Sequence, residues 1–202
     1  MIGNLINSLQ FNNNGIVVID NFLSNNTCNL LRKFALYPPF GYQDFYPEYK
    51  AVNFDPLSGG IDQIKVVDEF KSKIKFLGDI QYTRSWCFCY DNKSRGVGPH
   101  ADPSYININI WVTPNHCIND SKKNGLKIYH KLRDENVPHS LYNGNIAYIS
   151  KQINDQKFTI VPYKYRRATI FLGSMYHQTM GVDMKDGHDN KRVSYTYLFN
   201  KG

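Results

Sequence analysis

From residue 79 onward the chain is a series of short strand-like segments, and this pattern constrains the fold more than any other feature. The segments are rich in Ile, Val, Phe, Tyr and Thr, and turns containing Gly, Asn, Pro or Asp separate them. They are residues 81–90, 104–112, 125–130, 145–150, 157–162, 168–173 and 192–199. Strands at such short spacing, preceded by helices, predict an antiparallel sandwich or barrel that the helices support.

The N-terminal part of the chain contains the predicted helices. A short apolar strand over residues 15–20 leads to Ser24, a good N-cap, and to a helix that ends near Leu36. A second helix is expected over residues 61–77, and residues 40–60 between the two helices have the composition of a loop. The fold class predicted is therefore mainly β with supporting helices.

Length and composition indicate one globular domain. The chain has 202 residues, of which 42% are hydrophobic and 20% charged, and it contains no internal repeat or linker. We therefore expect a single domain over residues 1–202, with helical support over about 1–80 and a β core over about 81–200.

The charge pattern argues against nucleic acid as a partner. The net charge is +7, but the Lys and Arg residues are scattered rather than clustered, which is typical of a solvated surface.

The sequence shows neither a signal peptide nor an apolar run near the ~18 residues of a membrane span. A cytoplasmic protein with reduced thiols is expected, and Cys87 and Cys89 are interpreted as buried side chains rather than zinc ligands.

The clearest strand alternates strictly between apolar and polar or aromatic residues. One face carries Ile106, Ile108, Ile110 and Val112, and the other carries Tyr105, Asn107, Asn109 and Trp111. The apolar face should pack under the helices. The second face could line a cavity or meet solvent, and Trp111 favours the cavity.

His100 and Asp102 are two positions apart at the start of this strand. On extended backbone their side chains lie on the same side and can chelate one metal ion, and the prolines at 99 and 103 should stiffen the segment. His177, after the apolar segment 168–176, is the preferred third ligand, and His130 is the best substitute. Two imidazoles and one carboxylate leave about half of an octahedral Fe(II) open, as in non-haem oxygenases.

A cation follows on the last strand. Arg192 presents a planar fork that suits bidentate pairing with a carboxylate, and Ser194, two positions later, faces the same way. For an arginine taken alone, a surface position on an edge strand is the competing interpretation.

The order His-x-Asp, His, Arg-x-Ser on a late run of strands resembles the Fe(II)/2-oxoglutarate-dependent dioxygenases. These have a double-stranded β-helix core, which is a jelly-roll or cupin-like fold. The opening segment 16–24 resembles the start of prolyl-4-hydroxylase-like members, so the similarity extends over about residues 15–200. It implies that His100, Asp102 and His177 are the catalytic iron ligands. Asp102 also argues against a halogenase, in which a small residue is expected at that position.

The resemblance further implies a cosubstrate site. Arg192 and Ser194 would hold the distal carboxylate of 2-oxoglutarate, and Tyr90 is similar to a family tyrosine that hydrogen-bonds it. Asn107 and Asn109 are expected to line the same pocket. The implied reaction uses Fe(II), O2 and 2-oxoglutarate, with ascorbate as an optional stimulant. It hydroxylates a C–H bond and releases succinate and CO2.

The substrate class stays open between a protein side chain, prolyl-like for example, and a small molecule. Nucleobase dealkylation is disfavoured because residues 195–199 lack the second arginine of that group. The aromatic loop 40–57 and the loop 113–124 are expected to cover the site. Two alternatives are a non-catalytic jelly-roll binding or structural module and a cupin-like metal enzyme that does not use 2-oxoglutarate. The oligomeric state is not predicted.

Overall fold

The structure, a computed structural model, describes residues 15–54, 63–75 and 79–202. Within these ranges antiparallel strands dominate, and helices occur in the first half and between two of the later strands. The strands are β1 (Ile16–Ile19), β2 (Asp44–Phe45), β3 (Tyr49–Phe54), β4 (Ile80–Tyr90), β5 (Lys93–Ser94), β6 (Ile106–Trp111), β7 (Leu126–Leu132), β8 (Phe158–Val161), β9 (Ala168–Leu172), β10 (Met175–Thr179), β11 (Val182–Asp183) and β12 (Val193–Lys201). The α-helices are α1 (Asn25–Leu36), α2 (Gln63–Lys73), α3 (His139–Tyr142) and α4 (Ile146–Ile153).

The strands form a large sheet, a small sheet and a two-stranded ribbon. The large sheet has the order β1-β9-β6-β12-β4-β3-β2, the small sheet the order β10-β7-β8, and β11 pairs with β5. One apolar cluster joins Trp111 and Phe171 of the large sheet to Leu126, Ile128 and Met175 of the small sheet. The two sheets therefore pack face to face, which is the layered arrangement of a jelly roll.

Helices α1 and α2 cover the other face of the large sheet. The predicted apolar face of β6 lies there, with Ile108 and Ile110 fully buried in the same cluster as residues of both helices. Tyr195 and Tyr197 of β12 also point to this side. The Tyr195 hydroxyl donates to the Leu31 carbonyl over 2.9 Å, and the Tyr197 hydroxyl donates to Oε1 of Gln63 over 2.8 Å. Each buried Ile contributes about 1.5–3 kcal/mol.

Several expectations from the sequence are confirmed. Helix α1 begins after Ser24, whose hydroxyl accepts a hydrogen bond from the Thr27 amide over 3.0 Å. Helix α2 is observed over Gln63–Lys73, so it ends before residues 74–75 of the predicted range 61–77, and residues 61–62 and 76–77 lie outside the described residues. Cys87 and Cys89 are free and buried. In the described part of the chain, no helix is long and apolar enough to span a membrane.

The predicted strand over residues 145–150 is wrong, because this segment forms helix α4. Asn145 caps the helix by accepting a hydrogen bond from the Tyr148 amide over 2.9 Å. Ile149 and Ile153, four positions apart, are the buried residues of the helix. Burying these two side chains on one face of a helix therefore outweighs the preference of Ile and Tyr for strands.

The predicted loop over residues 40–60 is also partly wrong. Strands β2 and β3 form a hairpin there, and β3 pairs with β4 from Tyr49 opposite Tyr90 to Phe54 opposite Ser85. Because β1 pairs with β9 at the other edge, the N-terminal part contributes strands to the large sheet as well as the supporting helices. Residues 55–60 lie outside the described residues.

Asp20 ties the end of β1 to the segment before β9, and this pairing predicts acid sensitivity. Its carboxylate accepts hydrogen bonds from Arg167 Nε (2.7 Å) and Lys164 Nζ (2.6 Å). The Arg167 hydrogen bond, with a further contribution from Lys164, lowers the pKa of Asp20 to about 2. The stabilisation is present above the unfolded pKa of 3.8 and is lost as pH falls from there towards 2.

Urea unfolding at pH 6 and pH 3 measures this loss, and Asp20→Asn should show a smaller difference between the two pH values than the wild type. Asp155→Asn, at an exposed carboxylate, should keep the wild-type difference. An equal pH dependence in Asp20→Asn and the wild type would contradict the assignment.

Candidate metal centre and cosubstrate pocket

The structure brings His100, Asp102 and His177 together between the two sheets. The backbones of the two histidines form an antiparallel bridge, with N–H to carbonyl distances of 2.9 and 2.8 Å. Nε2 of His177 lies 3.4 Å from Oδ2 of Asp102, and Nε2 of His100 lies 3.9 Å from Oδ1. One ligand atom from each residue lies within 4.8 Å of the others, so the three side chains could hold one metal ion.

Hydrogen bonds orient both imidazoles towards this common point. Nδ1 of His100 lies 2.8 Å from the Gly98 carbonyl, and Nδ1 of His177 lies 2.9 Å from the Met175 carbonyl. A carbonyl only accepts, so each Nδ1 carries a proton, and Nε2 is the ring nitrogen left to bind a metal. His130, the substitute ligand, lies outside the cluster and contacts Thr159 through Nε2 at 2.8 Å.

Asp102 is held by a buried amide. Only 2% of Asp102 is exposed, and its Oδ2 accepts a hydrogen bond from Nδ2 of Asn107 over 2.6 Å. Oδ1 of Asn107 in turn accepts a hydrogen bond from the Ser104 hydroxyl, so the amide cannot rotate freely. This chain of contacts fixes the carboxylate that faces the two histidines.

The electrostatics of the cluster suit metal binding. Burial raises the pKa of Asp102, but the neighbouring His177, His100 and Asn107 outweigh burial and lower it overall. Burial, together with His177, lowers the pKa of His100 to about 4. At neutral pH the site therefore offers one carboxylate and a neutral His100 imidazole, the protonation states that a metal ion requires.

Removing the amide that holds Asp102 should weaken metal binding. Asn107→Ala deletes the donor to Oδ2, and losing such a partner typically lowers metal affinity by about 10- to 100-fold. Titration with Fe(II) or Mn(II) without oxygen measures the change. Asn53→Ala is the matched control, because the exposed Asn53 donates to Asp44 over the same 2.6 Å. Equal metal affinity in Asn107→Ala and the wild type would show that the hydrogen bond does not position the ligand.

A cavity opens beside the cluster, on the inner face of the large sheet. Four of the residues predicted to bind cosubstrate line it together with the three candidate ligands: Tyr90, Asn109, Arg192 and Ser194. Trp111 also lines it, so the second face of β6 meets a cavity rather than bulk solvent. Asn107 does not line this cavity and holds Asp102 instead.

Arg192 is the most unusual side chain of this cavity. It lies directly before β12 and is 1% exposed, with its guanidinium carbon 4.7 Å from the Tyr90 ring centroid and 5.8 Å from that of Tyr163. Among the described residues, nothing hydrogen-bonds its Nε or Nη1. Burial lowers the pKa of Arg192, but an arginine stays charged in proteins. A buried cation with free donors is costly unless an anion pairs with it.

The cavity offers further polar groups near this cation. Asn109 Oδ1 accepts a hydrogen bond from the Thr196 hydroxyl over 2.9 Å, while its Nδ2 has no partner among the described residues. The Tyr90 hydroxyl lies 3.3 Å from that of Thr179. The cavity can therefore supply several hydrogen bonds to an anionic or carbonyl-bearing ligand.

A second, outer cavity of about 280 Å³ adjoins the cluster and shares His100 and Asp102 with the inner one. Tyr46 and Tyr49 of the predicted aromatic loop line it. The loop 113–124, which was also expected to cover the site, contributes no lining residue to either cavity. The segment 143–146 does contribute, and sequence reasoning missed it because it carries no chemical motif.

Comparison with solved structures identifies the fold, whereas comparison of the sequence finds no match. Neither a protein-family model nor a curated protein matches the sequence. Among solved structures, the epimerase SnoN in complex with Fe3+, alpha ketoglutarate and nogalamycin RO superposes with a TM-score of 0.69 at 11% identity, over 93% of this chain and 79% of SnoN. A Pseudomonas putida prolyl-4-hydroxylase gives 0.60 at 12% identity, with both chains covered fully.

A third similar structure is a prolyl hydroxylase from Trichoplax adhaerens, in complex with a peptide fragment of the hypoxia inducible factor oxygen degradation domain. It gives a TM-score of 0.62 at 16% identity, over 98% of this chain and 89% of the hydroxylase. The overall superposition agrees with the fold expected from the sequence. The chain therefore has the double-stranded β-helix fold of the Fe/2-oxoglutarate-dependent oxygenases.

Proposed function

We propose that this protein is a non-haem Fe(II)- and 2-oxoglutarate-dependent oxygenase that hydroxylates a C–H bond of a protein side chain or a small molecule. One observation carries the proposal. The buried Arg192, two of whose nitrogens have no partner in the described part of the chain, lines the same cavity as the His100, Asp102 and His177 cluster. A diacid bound between a metal ion and this cation would satisfy both.

The three side chains fit iron. Two imidazole nitrogens and one carboxylate are the donor set of non-haem Fe(II) oxygenases, and they leave coordination positions open for ligands. When bound, the iron would activate O2 so that 2-oxoglutarate is converted to succinate and CO2 while a substrate C–H bond is hydroxylated. The protein binds and orients the reactants and shields them from water.

The remaining cavity residues fit 2-oxoglutarate. The Arg192 guanidinium can pair with the distal carboxylate through two parallel hydrogen bonds, and the Ser194 hydroxyl lines the same cavity. Tyr90 borders the guanidinium and can add its hydroxyl. Asn109 Nδ2 has no hydrogen-bond partner among the described residues, so it can donate a hydrogen bond to the ligand. Asn107 acts through Asp102 and is a positioning residue.

The alternatives explain less of the structure. Burying a carboxylate costs free energy, and a non-catalytic binding module gains nothing in return from placing it beside two imidazoles. A cupin-like metal enzyme that does not use 2-oxoglutarate would leave the Arg192 donors unexplained. The similar structures include complexes with a peptide and with nogalamycin RO, so the fold accommodates both substrate classes.

Succinate formation tests the proposal. Purified protein with Fe(II), ascorbate, air and 2-oxoglutarate, without added substrate, should form succinate slowly, and His100→Ala should not. His116→Ala, at an exposed histidine, is the matched control and should behave as the wild type. Equal succinate formation in His100→Ala would contradict the site. Absence of both turnover and Fe(II)-dependent 2-oxoglutarate binding would overturn the proposed function.

A further inference from the structure

Four aromatic rings line one part of the outer cavity. Tyr46 and Tyr49 stack with centroids 4.5 Å apart, Tyr49 lies 4.7 Å from Phe88, and Phe88 lies 6.2 Å from Trp86. These four rings form a continuous surface that reaches from the β2–β3 hairpin to β4. Ile146 lies on another part of the lining. Aromatic rings in a cavity wall favour contact with an aromatic or flat apolar ligand, by offset stacking or edge to face.

The rim of this cavity exposes apolar surface. Tyr46 is 47% exposed and Ile146, the first residue of α4, is 55% exposed, and both line the cavity. Large side chains of this type exposed at the mouth of a cavity are typical of a ligand-binding site.

The lining carries no charge apart from the metal cluster. Among the described residues, the outer cavity is lined by no Lys, Arg or Glu, and its ionisable groups besides tyrosine are His100 and Asp102. Glu48 and Arg95, next in sequence to lining segments, pair with each other through Nε and Oε1 at 2.7 Å. Away from the metal cluster, a charged ligand would therefore lose its hydration without gaining a partner of opposite charge.

The wall also offers little to a peptide backbone. Peptides that bind along a sheet use free strand edges, but β4 is paired with β3 on one side and with β12 on the other. Its backbone donors and acceptors are therefore already used. The neutral polar side chains of the lining are Tyr46, Tyr49, Trp86 and Asn143, and Gly98, Pro99 and Gly144 add only short stretches of backbone.

We propose that the outer cavity binds a neutral small molecule with an aromatic or similarly flat apolar part, and that this molecule is the substrate class of the adjoining metal site. The inference rests on the proposed function. Contact with the four rings and with Ile146, in a lining without charged groups beyond the metal cluster, selects such a molecule over a peptide or a charged metabolite.

Calorimetric titration of the protein, loaded with Fe(II) and 2-oxoglutarate without oxygen, tests this inference. The probes are 2-naphthol, its charged relatives naphthalene-2-sulfonate and 2-naphthylmethylammonium, and the blocked peptide Ala-Pro-Ala-Pro-Ala. We expect 2-naphthol to bind at least about tenfold more tightly than each of the others, which corresponds to about 1.4 kcal/mol. Equal or tighter binding of a charged probe or of the peptide would overturn the proposal, as would no binding of 2-naphthol.

Two matched variants locate the binding. Ile146→Glu places a carboxylate in the lining at the first residue of a helix, where acidic groups are favourable, so the fold should persist with an unchanged thermal midpoint. It should weaken 2-naphthol binding at least about tenfold. Ile160→Glu, on β8 and 44% exposed, does not line the cavity and should bind as the wild type. Wild-type affinity in Ile146→Glu would place the probe elsewhere.

A separate titration with 2-oxoglutarate distinguishes the two failures. If Fe(II)-dependent 2-oxoglutarate binding is intact but the probe results fail, only the substrate class is wrong. If 2-oxoglutarate does not bind, the proposed function itself is wrong.

Discussion

Replacing Asp102 with Ala should abolish Fe(II)-dependent succinate formation, with a loss of at least about 10³-fold, or roughly 4 kcal/mol of transition-state stabilisation. Asp102 is the only carboxylate of the cluster, and its two oxygens face the two histidines at 3.4 and 3.9 Å. Without it, two imidazoles and no anionic ligand remain to hold a dication. Succinate assays and anaerobic Fe(II) titration on the same preparation measure the effect.

The fold of Asp102→Ala should persist, since the substitution leaves one donor of Asn107 unpaired at a cost of about 1–3 kcal/mol and also removes a buried charge. Circular dichroism checks the sheet content. Asp91→Ala, at a half-exposed carboxylate that pairs with Lys191, serves as the control and should keep full turnover. Normal turnover in Asp102→Ala would remove this cluster as the metal site.

Replacing Arg192 with Ala should raise the 2-oxoglutarate concentration needed for half-saturation by about 10²-fold or more. Each charge-assisted hydrogen bond contributes about 1.5–3 kcal/mol, and the guanidinium can make two to one carboxylate. The same variant should not lose stability without ligand, because the wild-type cation is buried and two of its nitrogens have no partner within residues 15–54, 63–75 and 79–202. Thermal unfolding with and without 2-oxoglutarate separates these two effects.

Two further variants test the interpretation of Arg192. Arg192→Lys keeps the charge but not the planar fork, so its 2-oxoglutarate affinity should lie between those of the wild type and Arg192→Ala. Arg167→Ala, which breaks a surface pair with Asp20, should leave the affinity unchanged. If Arg192→Ala unfolds at a much lower temperature in the absence of ligand, the arginine is structural rather than a cosubstrate contact.

Much of the fold could be predicted because the β segments alternate clearly. Ile108 and Ile110 are buried under the helices, and Trp111 lines the cavity on the other side, as the period of two in β6 predicts. Helix α1 was identifiable from its N-cap, Ser24. In both elements the residues next to one another in sequence already indicate which side chains are buried or where the helix begins.

The errors arise where tertiary contacts decide between two local possibilities. The segment Ile146–Ile153 is short and rich in side chains that favour strands. Only the burial of its own Ile149 and Ile153 in the folded protein shows that it is a helix. The β2–β3 hairpin contains Pro47 and many polar residues, and pairing with β4 stabilises it as part of the sheet. Neither contact can be read from the local sequence.

Some features of the candidate site could also be predicted from the sequence, and others could not. The candidate ligands and Arg192 could be identified because each residue type suits a definite chemistry at its spacing. Asn107 and Asn109 could not be distinguished, since both lie on one face of β6, and only depth decides that Asn107 contacts Asp102 while Asn109 lines the cavity. The unpaired nitrogens of Arg192 depend on what surrounds the side chain, so only the structure shows them.

Binding of 2-oxoglutarate to the protein without oxygen, measured with and without Fe(II), tests the proposed site most directly. We expect binding that requires Fe(II), that is lost in Asp102→Ala and that is weakened about 10²-fold or more in Arg192→Ala. Binding that is absent with Fe(II), or that is equally tight without the metal and in both variants, would contradict the claim that these residues form one iron and cosubstrate site.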